Sequence, residues 1–129
     1  MLDIEVKSWI EALSVAVNNL QIRFSENKGL MLTEGDLECN LYASLMSQPL
    51  FRGAYPSKDS SFSEEKGYDY LTPFIHSQVT WFKEGKQSGF AVDLTISKPE
   101  LLEVRDVQIF EDYPSKGFAY DGPCVAVEL

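Results

Sequence analysis

Near the start of the chain, apolar residues recur at helical spacing. Val6, Trp9, Ile10, Leu13, Ala16, Val17 and Leu20 fall at i, i+3, i+4 and i+7 intervals, which sets them on one face of a helix predicted from Asp3 to Ile22. Asp3 and Glu5 suit the positive end of its dipole and Arg23 the negative end. A second helix is predicted to begin at Thr33, a good N-cap, with Asp36 near the orphan amides of the first turn. Leu37, Leu41 and Leu45 then repeat at i, i+4 and i+8. This places Glu34 on or beside the buried face, with Glu38 about one residue's rotation away. Pro49 disfavours helical geometry at the residue before it, so the helix is expected to fade near Gln48.

Residues 51–70 (FRGAYPSKDSSFSEEKGYDY) show neither a helical nor a strand period and read as a long surface loop. Within it, Lys58 and Lys66 are candidates for phosphate contacts or for plain solvation. The second half is β-rich. Phe74 to Phe82 and Phe90 to Ile96 read as two strands, joined by turn residues from Gly85 to Gly89, and so as a hairpin. Ser97-Lys98-Pro99 breaks the chain. Leu101 to Phe110 suits a short helix followed by a strand, Glu111 to Pro123 is loop-like, and Cys124 to Leu129 reads as a strand opened by Gly122-Pro123.

At 129 residues with 44% hydrophobic side chains, this is the size and composition of one folded domain. Residues 1–31 supply an N-terminal helix and its connection, and 32–129 the core. No apolar run is long enough for a transmembrane helix, and the acidic N-terminus lacks the basic region of a signal peptide, so a cytoplasmic protein is expected. Cys39 and Cys124 lack partners at metal-binding spacing and read as reduced, partly buried thiols. The single histidine, His76, excludes zinc sites built on several histidines. The net charge of −9 disfavours loose binding to nucleic acid.

Two carboxylates change the picture. Asp93 lies inside the apolar run FAVDLTI, on the face of Ala91 and Thr95 and opposite Val92, Leu94 and Ile96. Glu128 repeats the arrangement in CVAVEL, sharing a face with Cys124 and Ala126. Each strand thus offers an apolar face and a small-residue face with one acid on it. Each also allows a plain solvated-face reading. If the two strands pair with the acidic faces aligned, the carboxylates converge on one hard cation.

The series Glu34 on a helix, Asp93 in the second strand of a hairpin and Glu128 in a following apolar strand resembles the core of the PD-(D/E)XK, restriction-endonuclease-like nucleases. The resemblance spans roughly Leu32 to Leu129, and Val92 stands where the family usually has proline. It implies an α/β (α+β) fold in which helices flank a mixed sheet, with the N-terminal helix packed on the core. It further implies Mg²⁺ (or Mn²⁺) held by Asp93, Glu128, the backbone carbonyl of Leu129 and, directly or through water, Glu34. The implied activity is hydrolysis of DNA phosphodiesters by metal-activated water.

The motif lysine would follow Leu129, so the resemblance predicts an inactive fragment of a longer endonuclease. Lys116 is a candidate to migrate into its place. A decayed relative and a chance pattern are the alternatives. His76 reads either as a proton shuttle beside such a site or as a structural residue. DNA is the expected partner of a nuclease, and a homodimer is a further expectation. Acidity alone suits a non-catalytic module that binds a basic protein, or an unrelated small α+β protein with solvated acids.

Overall fold

Both apolar stripes form helices, and the strands that follow them are antiparallel where their pairing is described. The computed structural model describes residues 3–82, 89–112 and 118–129. In chain order it contains α1 (Ile4–Glu26), α2 (Glu34–Met46), β1 (Tyr55–Pro56), α3 (Ser60–Lys66), β2 (Leu71–Thr72), β3 (Ile75–Phe82) and β4 (Gly89–Ser97). A 3-10 turn (Pro99–Leu101), β5 (Leu102–Val104), α4 (Val107–Asp112), β6 (Phe118–Tyr120) and β7 (Cys124–Val127) complete the described elements. This is a mixed α+β fold. Its chain divides into two compact units, one holding residues 1–52, 75–96 and 125–129, the other 53–74 and 97–124.

In the first unit, Asp3 caps α1 by accepting from Glu5 N–H, and Val6, Trp9, Ala12, Ala16 and Leu20 are buried. The stripe is narrower than predicted, because Ile10 and Val17 lie exposed on its flank. Small Ala12 and Ala16 suit close approach of helices, and α1 packs on α2, where Gln48 Nε2 donates to the Ala12 carbonyl at 2.8 Å. Thr33 caps α2 as expected, its hydroxyl accepting from Asp36 N–H at 3.0 Å, while Asp36 Oδ2 accepts from Leu32 N–H at 3.0 Å. Both ends of this capping box are filled, which satisfies two backbone donors at once. Leu41 and Leu45 are buried from α2.

The sheet of this unit runs β3-β4-β7, with β4 in the middle. β3 and β4 are antiparallel, pairing Ile75 with Ile96, Ser77 with Leu94 and Val79 with Val92. The antiparallel pairing is therefore as predicted, although residues 85–88 of the expected turn lie outside the described residues. Ile75, Val79, Val92, Leu94 and Ile96 form its buried side.

The second unit departs from the predicted long loop over 51–70. Asp59 caps α3 by accepting from Phe62 N–H at 2.9 Å, and Gly67, at φ 81°, ends the helix in the left-handed conformation that glycine adopts most cheaply. Phe62 is buried, with its ring edge-on to Tyr68, Tyr70 and Phe110 at 5.6, 4.9 and 5.9 Å. An aromatic cluster thus does here what an amphipathic stripe does in the first unit.

The 101–110 stretch also differs, since strand precedes helix. Leu102 and Val104 pair with Tyr120 and Phe118, which makes part of the predicted 111–123 loop a strand. Asp106 then opens α4, accepting from Ile109 N–H at 2.9 Å. Asp59 ties α3 to β5 as well, because its Oδ2 accepts from Val104 N–H at 2.7 Å. Lys58 pairs with Glu100 at 3.4 Å and Lys66 with Glu111 at 2.7 Å. Of the two free cysteines, Cys124 is half-buried, but Cys39 is exposed because it points away from the Leu41–Leu45 face. No described helix is long and apolar enough to cross a membrane.

Two outcomes follow from this packing. Asp59→Ala removes a cap and orphans the Val104 amide, costing about 2 kcal/mol. Asp59→Asn keeps the cap and loses only the second acceptor, so it costs about half as much; urea denaturation and exchange of the Val104 amide measure both. Burial pushes the Tyr70 and Tyr120 phenols up to about 12, offset in part by the hydroxyls of Ser57 and Thr72 beside them. The unfolded chain releases these protons near pH 10, whereas the folded chain keeps them. Their stabilisation is therefore complete below about pH 10 and is lost as pH rises through about 12. Alkaline denaturation of the Tyr70→Phe/Tyr120→Phe double variant should lack that decline.

Candidate metal centre

Asp93 stands at the middle of the central strand of the first unit's sheet, half-buried, between the buried Val92 and Leu94. Alternation sets it on the face of Ala91 and Thr95, as predicted. Thr95 is buried there, and its hydroxyl accepts from the Trp81 indole N–H at 3.2 Å. A half-buried carboxylate needs partners to offset lost hydration. Asp93 finds one on each oxygen: Oδ2 accepts from Leu129 N–H at 2.7 Å, and Oδ1 takes Gln78 Nε2 at 3.4 Å. The short bond is of the charge-assisted kind.

Gln78 Nε2 has a second acid beside it. It lies 3.1 and 3.3 Å from the two oxygens of Glu38, on α2. One neutral amide thus joins α2, β3 and β4, and two carboxylates from different elements converge on it. Gln78 itself is left-handed at φ 56°, in the middle of a strand. Ser77 pairs with Leu94 and Val79 with Val92, so Gln78 stands opposite Asp93 with no residue inserted. For a residue bearing a side chain that conformation costs about 1–2 kcal/mol.

The predicted site residues divide accordingly. Asp93 is at the centre. Glu34 is exposed in the first turn of α2, one turn before Glu38, and it is Glu38 that reaches the sheet. Glu128 lies just past the end of β7, with its side chain exposed, rather than inside a strand continuing to Leu129. Among the described residues, neither Glu34 nor Glu128 is hydrogen-bonded into the Asp93 group. The Leu129 group brought to Asp93 is the N–H, not the carbonyl. That bond still carries the Glu128–Leu129 peptide to the Asp93 carboxylate. The Leu129 side chain helps line an apolar cavity of about 240 Å³ with Val17, Leu20, Phe24, Leu37 and Leu41. His76 is half-buried opposite Thr95. Lys116 lies outside the described residues.

Among the described residues, no group of three or more His, Cys, Asp or Glu side chains is arranged to hold a metal ion. The group is two carboxylates with the N–H donors of one amide between them. Mg²⁺ and Mn²⁺ take one or two carboxylates of this kind and fill their remaining positions with water or phosphate. Comparison with protein-family models, curated proteins and solved structures finds no match.

Glu38 and Gln78 are functional candidates that sequence reasoning did not single out. Glu38 had a signal, since it stands three residues before Leu41 and seven before Leu45, on the side of the buried leucines. Gln78 had none beyond its place opposite Asp93. Its backbone offers a direct check. Gln78→Gly and Gln78→Ala both delete the amide, but only glycine relieves the left-handed strain. The glycine variant should be about 1 kcal/mol the more stable in urea denaturation; equal midpoints would mean that the strand relaxes instead.

Proposed function

We propose that this chain carries the cation-binding core of a metal-dependent nuclease of the restriction-endonuclease-like type, acting on DNA phosphodiesters. One observation carries the reading. An acid from the helix before the hairpin, Glu38, and an acid from the hairpin's second strand, Asp93, meet within 3.1–3.4 Å of one atom. The joining group is a neutral amide, so the charge of both carboxylates is left for a cation to balance. Asp93 and Glu38 would hold the ion. Glu34, one helical turn away, Glu128, whose peptide with Leu129 is bonded to Asp93, and the Leu129 carbonyl beyond that peptide would join directly or through water.

When bound, Mg²⁺ or Mn²⁺ supplies polarisation of a phosphoryl oxygen and a lowered pKa for coordinated water. The residues of the chain supply the placing. Leu129 N–H fixes Oδ2 of Asp93, which leaves Oδ1 directed to the side of Glu38. The α2 cap at Thr33 holds the helix that presents Glu38 and Glu34. The proposal for these residues is cation binding and cation-dependent capture of DNA.

Calorimetric titration with Mn²⁺ tests it. The wild-type chain should bind, Asp93→Ala should not, and Glu38→Gln should bind on the order of tenfold more weakly or worse. At a net charge of −9 the chain should hold duplex DNA only when Ca²⁺ or Mn²⁺ is present, read by fluorescence anisotropy. Unaltered Mn²⁺ binding by Asp93→Ala would sink the assignment.

A further inference from the structure

The cavity beside Leu129, of about 240 Å³, lies wholly within the first unit. Leu20 and Leu41, 3% and 1% exposed, form its floor, while Val17 and Leu129, at 37% and 39%, leave its mouth open to solvent. Gln21 is the one polar side chain among its described lining residues. Water in such a space finds few hydrogen-bond partners, whereas an aliphatic chain that enters it leaves an unfavourable hydration shell behind. At the roughly 30 Å³ that a water or a methylene takes up, the cavity accommodates on the order of eight methylenes. One charged group stands at its edge. Phe24 lines the cavity, and the Lys28 ammonium lies 4.9 Å from the centre of the Phe24 ring. Among the described residues no carboxylate pairs with Lys28, although the chain holds 20 acids against 11 bases.

We propose that this cavity binds a medium-chain aliphatic carboxylate, tail inward, with its carboxylate at the Lys28 ammonium. The two ends of such a molecule match two features that lie side by side: an apolar space, and a cation that no described carboxylate neutralises. The tail supplies the affinity, about fourfold for each methylene taken out of water. Lys28 supplies orientation and little affinity, because the ion pair stays in solvent. Met31, in the wall, has a flexible thioether that adapts to the length of the tail. Binding here needs no cation at Asp93.

Calorimetric titration of the full chain with straight-chain carboxylates decides this. Affinity should rise about fourfold per methylene from pentanoate to octanoate and level off near decanoate, where the cavity is full. Val17→Trp fills the mouth and should weaken octanoate binding by about tenfold or more. Met31→Trp, in the connection between α1 and α2, serves as the second variant if the Val17 chain does not fold. Lys28→Gln should weaken octanoate about threefold and leave the matching primary alcohol unchanged. Affinity that climbs without a plateau and ignores both tryptophan variants means adsorption to the surface and overturns the proposal. Equal effects of Lys28→Gln on acid and alcohol overturn the choice of a carboxylate. Absence of octanoate binding overturns it outright, and a concentration-dependent dimer in size exclusion would then assign the cavity to a second copy of the chain.

Discussion

A carboxylate at the middle of a central strand is partly withdrawn from water, and hydrogen-bond donors around it offset what it loses. Asp93 imposes that condition on the first unit. The end of the chain meets it with a backbone N–H at 2.7 Å, and β3 meets it with a side-chain amide that reaches Asp93 through an unusual backbone. Each partner has its own anchor. Leu129 borders an apolar cavity lined by residues of α1 and α2, and Gln78 donates to Glu38. α2, β3 and the last residues of the chain all reach this one side chain, directly or through Gln78.

The second unit solves a smaller version of the same problem. Asp59 also engages both oxygens, but with two backbone donors, one in the first turn of α3 and one in β5. No second acid shares these donors, so the carboxylate acts as a brace between elements, and the aromatic rings about Phe62 supply the apolar contact. The contrast separates a structural acid from a candidate functional one. Asp59 is fully served by main-chain donors, whereas Asp93 shares its side-chain donor with another negative charge.

Elements marked by local chemistry were legible in the sequence. Asp3 and Thr33 announced their helices, the leucine stripe located α2, and period-two alternation set Asp93 on the correct face of a hairpin. What escaped was decided at longer range. α3 spans seven residues with one buried apolar side chain, too few to establish a period, although Asp59 and Gly67 bracket it as cap and stop. β5 and β6 are three residues each and owe their pairing to one another. The choice between Glu34 and Glu38 turns on where the sheet meets α2, to which the spacing of Glu38 before Leu41 and Leu45 is the one local pointer. Glu128 was placed one residue too deep in β7, because an apolar run continues to Leu129 while the ladder stops at Val127.

The kink at Gln78 has a consequence for solubility as well. β3 is an outer strand of its sheet, eight residues long, with one side facing no strand among the described residues. A straight edge of that length presents a row of unpaired amides and carbonyls that another chain's strand can dock against. A left-handed residue near the centre turns the local peptide groups out of line and divides the row into two short stretches. An edge interrupted in this way is a poorer template for an extended ladder than a straight one.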